Sequence, residues 1–201
     1  MAVLQLTVVN IITDDQIFIV IDIESDGPTP RLYSMLSLGA VASTENSEVG
    51  RFYRTIKPID GASRHPSNMR WWGTQPEAWK EVNANPRPAD EVMKEFSEWV
   101  NNFGKQPIFV AYPIAFDYTF VSWYLWNFTG ENPFLGEDKY PMTIDIASLV
   151  SGKYRRLLND STRDSFPAWM KEGMPDHNHR AIDDAIGYAV VLRNIISRDN
   201  E

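Results

Sequence analysis

The sequence predicts an α/β fold, a mixed β-sheet of three antiparallel strands followed by parallel ones, flanked by helices. Three observations predict it. Three strand-like stretches come consecutively near the start. Later strand-like stretches alternate with helical ones, the pattern of parallel strands joined by crossovers. The first stretch, Ile17–Glu24 (IFIVIDIE), is an almost unbroken run of aromatic and β-branched residues, the mark of a strand buried on both faces.

That first strand ends in two carboxylates, Asp22 and Glu24. Residues i and i+2 on a strand share a face, so the two acids project together. The turn SDGPTP follows, then Met35–Ala42 and Glu48–Lys57 as two strands joined by the polar STENS, an antiparallel meander with the first. Within the third strand Arg51 and Tyr53 share one face, Phe52 and Arg54 the other. From Pro58 to Pro88 only short helices are expected, near Asn68–Trp72 and Pro76–Val82. Trp71, Trp72 and Trp79 lie there and read as caps over the core rather than as base-stacking platforms. Ala89–Phe103 is an amphipathic helix with Val92, Phe96, Trp99 and Val100 on one stripe, ended by Gly104.

Pro107–Tyr112 reads as a buried strand and leads through Pro113 into a helix that carries Asp117 in its first turn. Tyr140–Ile144 is a further short strand, with Asp145 starting a helix into Val150. The last helix runs from about Arg180 to Ser197, with His179 at its start and Asp184 one turn in. This order of elements is of ribonuclease H-like type, with helices on both faces. One domain is expected over residues 16–201, preceded by an N-terminal extension, 1–15, that reads as an extra strand or a docking segment.

Bulk properties narrow the function. The chain of 201 residues has no cysteine, which excludes disulfides and thiolate zinc sites and fits a reducing cytoplasm. The apolar N-terminus lacks the basic region of a secretory signal, and no stretch suits a membrane span. A net charge of -8 argues against coating long nucleic acid by counterion release. Basic residues nonetheless gather in 31–70 (Arg31, Arg51, Arg54, Lys57, Arg64, Arg70) and in 151–163 (Lys153, Arg155, Arg156, Arg163), either a phosphate track or solvated surface.

Two adjacent carboxylates at a buried strand end resist desolvation and need protons, basic partners or cations; we read Asp22 and Glu24 as metal-holding. The tripeptide D-x-E alone is weak, since 15 Asp and 12 Glu in 201 residues give roughly 0.9 chance matches. His179 and Asp184 add H-x4-D, a spacing neither His65 nor His177 shares, for which chance gives roughly 0.2 matches. Asp184 also sits among Ala181, Ile182, Ala185 and Ile186, an odd place for a surface acid.

In this order, D-I-E at 22–24, F-D at 116–117 and H-R-A-I-D-D-A at 179–185 resemble the DEDDh (DnaQ-like) 3′–5′ exonucleases. That family includes the proofreading subunit of bacterial DNA polymerase III, RNase T and oligoribonuclease. The resemblance implies two divalent cations, Mg²⁺ or Mn²⁺, held by Asp22, Glu24, Asp117 and Asp184, with His179 as general base. The related tyrosine class would place Tyr where Arg180 stands. It further implies that backbone groups at Ile23 and Ser25 meet the terminal nucleotide and that Phe116 packs its base. The expected substrate is a single-stranded DNA or RNA 3′ end, releasing 5′-nucleoside monophosphates; the expected partners are a second copy of the chain and a polymerase or repair protein. The alternative is a degenerate member that binds nucleic acid or a polymerase without cutting. Two departures stand out: Tyr112-Pro113 replaces the usual His-Asn, and Ser25-Asp26-Gly27 replaces Thr-Thr-Gly, adding an acid near the expected 3′ end.

Overall fold

The apolar run becomes the middle of a sheet. The computed structural model describes residues 13–198, so the expected N-terminal extension lies outside the described residues but for a turn at 13–15. Strand β1 (Gln16–Ser25) pairs antiparallel with β2 (Met35–Ser43), which pairs antiparallel with β3 (Glu48–Thr55). On its other side β1 pairs parallel with β4 (Gln106–Ala111), which pairs parallel with β5 (Thr143–Asp145). The strand order is β3-β2-β1-β4-β5. With neighbours on both sides and a layer on each face, β1 has no edge exposed to water, which is why its stretch 17–21 is apolar throughout.

Helices α1 (Pro66–Trp72), α2 (Pro76–Val82) and α3 (Ala89–Asn101) precede β4; α4 (Ile114–Thr129) follows it; α5 (Ile146–Tyr154) and α6 (Ala181–Ser197) close the chain. Pleating sorts β1 between two cores. Ile17, Ile19, Ile21 and Ile23 pack with Phe96, Phe109, Phe120 and Tyr124 beneath α3 and α4. Phe18 and Val20 face Ile146, Tyr188 and Leu192 of α5 and α6. Asp22 and Glu24 continue the second series, so they point to the α6 side. Phe52 joins the first core and Tyr53 flanks the second, the alternation expected of β3. Among the described residues no helix is long and apolar enough to cross a membrane.

Most boundaries shift by one or two residues from expectation, and the shifts at β5 and α5 bear on the site. β5 begins at Thr143 and includes Asp145. The chain from Tyr140 is held instead by a short bridge, Leu135 to Pro141. α5 starts one residue later, because Asp145 caps it from outside.

Candidate active site

The site forms where β1 leaves the sheet. Asp22 lies opposite Gly39 and Glu24 opposite Ser37, and the register slips immediately after Glu24. Carboxylate oxygens of Asp22, Glu24 and Asp184 all lie within 4.8 Å of one another.

Asp117 arrives from the opposite face. Asp145 at the end of β5 accepts a hydrogen bond from Ser148 N–H (2.7 Å), capping α5, and one from Ile114 N–H (3.0 Å), the first residue of α4. One carboxylate thus fixes the start of two helices and satisfies donors a helix leaves unpaired. One turn into α4, Asp117 is 2% exposed, and its Oδ1 accepts the Ile23 N–H at 3.0 Å. Ile23 separates the two acids of β1, so Asp117 is tied to the strand that bears them.

Asp184 arrives on α6. A Cβ on Gly39 would lie 2.4 Å from Ala181 C and Ile182 N. Only glycine lets the first turn of α6 settle on the sheet there, opposite Asp22. Asp184 is also 2% exposed. Its Oδ1 receives both Arg163 Nη1 (2.7 Å) and His177 Nδ1 (2.7 Å). His179, just before α6, holds a positive φ of 56°, uncommon outside glycine though less so for histidine than for most residues. Its ring packs edge-on against Trp71 (centroids 4.9 Å apart) and against His177 (4.0 Å). Ligand atoms of His177, His179 and Asp184 also fall within 4.8 Å of one another.

The acids repel one another in a dry place. Burial first, then the charges of Asp117, Glu24 and Asp184, hold the Asp22 carboxyl well above the usual range, with Arg163 pulling the other way. Burial, then Asp184, Asp117 and Glu81, does the same to Glu24. Burial raises Asp117 too, against the Ile23 hydrogen bond. His179 is pushed down, by burial and then by His177. Glu81 Oε2 and Ser37 Oγ, near Glu24, are buried with no protein partner. Concentrated hard oxygen donors, with Arg163 as the cation set against them, fit divalent cations of the magnesium or manganese type.

The structure therefore brings Asp22, Glu24, Asp117, His179 and Asp184 together. Ile23 lies among them with its N–H given to Asp117. Ser25 lies beside them, its carbonyl accepting Trp72 Nε1–H at 2.9 Å. Phe116 neighbours Asp117 and packs on Phe120 (centroids 5.2 Å). Asp26, the acid expected near the 3′ end, is turned into its own loop. It is 1% exposed, and its Oδ1 accepts the Ser34 N–H (2.6 Å), closing the loop after β1. Of the tryptophans, Trp72 is core and Trp79 packs beside it, while Trp71 is 37% exposed against His179. His177 and Glu81 escaped the sequence reading, which placed Arg163 only in a basic cluster.

Residues 17–196 match the family model of the 3′-5′ exoribonuclease Rv2179c-like domain. The chain is 35% identical over 125 residues to the 3′-5′ DNA exonuclease Cap18 of Escherichia coli, covering 61% of this chain and 64% of that protein. It is 29% identical over 168 residues to the PolC-type DNA polymerase III of Thermotoga petrophila, covering 84% of this chain but 11% of the polymerase. The chain thus spans less than two thirds of the length of these relatives. Among solved structures, the nuclease domain of 3′hExo, a DEDDh family member bound to rAMP, superposes with a TM-score of 0.66 at 12% identity, over 90% of this chain and 92% of that one. A zinc-bound complex of Escherichia coli ExoI with single-stranded DNA gives 0.63 at 16% identity, over 88% and 39%. These likenesses establish the ribonuclease H-like DEDDh fold.

Proposed function

The chain belongs to the family of the Rv2179c-like 3′-5′ exoribonuclease domain, within the DEDDh (DnaQ-like) exonucleases, and from that premise we propose that it is a metal-dependent 3′–5′ exonuclease. It hydrolyses phosphodiester bonds at single-stranded DNA or RNA 3′ ends and releases 5′-nucleoside monophosphates. The observation that carries this reading is the convergence of Asp22, Glu24 and Asp184 oxygens within 4.8 Å, with Asp117 hydrogen-bonded between the first two.

Asp22, Glu24, Asp117 and Asp184 would hold two Mg²⁺ or Mn²⁺ ions. Such ions, when bound, lower the pKa of water and neutralise charge on the attacking and leaving oxygens. The chain's own groups do the rest. His179 accepts the proton of the attacking water, and burial keeps its imidazole neutral and ready at pH 7. Its place between Trp71 and His177 restrains the ring. Phe116 packs the terminal base, and backbone groups of Ile23 and Ser25 meet the terminal nucleotide. His177, at 2.7 Å from Asp184, favours a second reading in which it, rather than His179, takes the proton.

The test is digestion of 5′-labelled single-stranded DNA and RNA oligonucleotides of several lengths with Mn²⁺ or Mg²⁺. The reading expects a ladder shortening from the 3′ end, mononucleotide products, arrest by chelator, and no cutting by Asp22→Ala with its circular dichroism intact. Oligonucleotides left whole by the wild-type protein in Mn²⁺ would leave only the non-cutting alternative.

A further inference from the structure

We infer that Arg163 binds the phosphate of the nucleotide leaving the 3′ end, an assignment that rests on the exonuclease reading. Arg163 comes from irregular chain between the 3₁₀ turns Leu158–Asp160 and Ala168–Lys171, where a side chain has little reason to be fixed. It is fixed from three sides. Its backbone N–H donates to the Tyr112 hydroxyl at 3.1 Å. Its guanidinium lies 5.5 Å from the centre of the Tyr188 ring. Its Nη1 reaches Asp184 Oδ1 at 2.7 Å, and the side chain is only 15% exposed.

Charge balance alone does not account for this arrangement. A lysine would supply the same charge, whereas guanidinium offers five donors in a planar fork that matches phosphate and stacks on aromatic rings. One donor serves Asp184. The side chain also lines a cleft of about 210 Å³ shared with Lys171 and His177, two further basic groups, and with Asp164 and Asp176. A phosphate placed for attack at the acids has non-bridging oxygens beside Asp184, within the reach of that fork. Tyr112 ties the site's β4 side to Arg163. It occupies the position where the motif departs from His-Asn, and its hydroxyl is what holds the Arg163 backbone. A residue just after β4 thus positions one from the segment before α6.

The test is equilibrium titration, in Mn²⁺, of a nucleoside 5′-monophosphate and of the matching nucleoside into wild-type protein, Arg163→Gln and Arg163→Lys. Wild type should prefer the monophosphate. Arg163→Gln should weaken the monophosphate roughly 10- to 100-fold, the worth of a charged hydrogen bond, and leave the nucleoside unchanged. Arg163→Lys should fall between. Mn²⁺ titrated alone should bind Arg163→Gln as tightly as wild type or more so, since a competitor for Asp184 has gone. A variant that keeps the full preference for phosphate overturns the assignment. So does one whose Mn²⁺ and monophosphate affinities fall in the same proportion, because Arg163 would then serve the acids. If Arg163→Gln does not fold, Arg163→Lys decides alone, and undiminished preference in it is the overturning result. Wild type that binds neither compound and cuts no oligonucleotide removes the exonuclease reading itself. Wild type that cuts while Arg163→Gln keeps its preference removes only Arg163.

Discussion

Two helices each bring one carboxylate to β1 in their first turn, and they do so by different means. α4 is anchored through backbone: Asp145 holds its first N–H, and Asp117 accepts from the main chain of Ile23. α6 is anchored by shape, resting on the bare face of Gly39, and its Asp184 is held by the side chains of Arg163 and His177. Main-chain donors of a central strand cannot rotate away; a half-exposed histidine can. The α4 arm is therefore the fixed half of the site and the α6 arm the half that adjusts.

The largest expected effects come from the acids. Asp117→Asn and Asp184→Asn should both abolish cleavage, yet differ in stability. The raised carboxyls bind protons in the folded chain that the unfolded chain releases. Without metal their contribution is fully present below the ordinary carboxylate range and is lost as pH rises through the raised values. Metal-free protein should therefore melt lower at about pH 8 than at about pH 5. Asp117→Asn keeps an acceptor for Ile23 and removes one repelling charge, so it should recover about 2–4 °C for each kcal/mol relieved. Asp184→Asn deprives Arg163 of its ionic partner and should show no such gain. Equal melting shifts in the two variants at high pH would erase the distinction between the arms.

His179→Asn should cost roughly 10²- to 10⁴-fold in kcat, the worth of a general base, and His177→Asn less. The reverse ranking in single-turnover rates assigns the base to His177. Since burial lowers the His179 pKa, the acid limb of the wild-type pH–rate profile should fall below the reference value near 6.5. Gly39→Val should lift the start of α6 from the sheet and cost about 10²-fold, as misplacement by an ångström can. It should also lose about 1–3 kcal/mol of stability from overpacking, both measurable by kinetics and denaturant melts. Asp145→Ala is the mildest. It removes a cap worth about 1 kcal/mol and should slow cleavage only a few-fold, because Ile23 still holds Asp117.

The fixed arm was the more legible. A continuous apolar strand ending in D-I-E and an acid in the first turn after a buried strand are local patterns. The three-strand meander and the alternating helices likewise follow from periodicity. The adjusting arm was legible only as H-x4-D. Arg163 and His177 lie in chain without periodicity, where nothing local says which side chain turns inward. Gly39 carried a usable signal, a glycine inside an apolar strand, which marks close approach of another backbone. The inward turn of Asp26 was not legible, although short polar side chains after a strand often bond their own loop. Trp71 and Trp72 are neighbours on a single turn of α1, and composition cannot say which of the two faces inward.

The alternation of β1 has one more consequence. Asp22 and Glu24 share a face with Phe18 and Val20, while Ile21 and Ile23 belong to the opposite core. A chain that paired β1 one residue out of step would drive both carboxylates into hydrocarbon beneath α3 and α4, at a cost no neighbouring contact could return. The residues suited to cutting a phosphodiester thus also select the correct strand alignment as the protein folds, before any substrate is met.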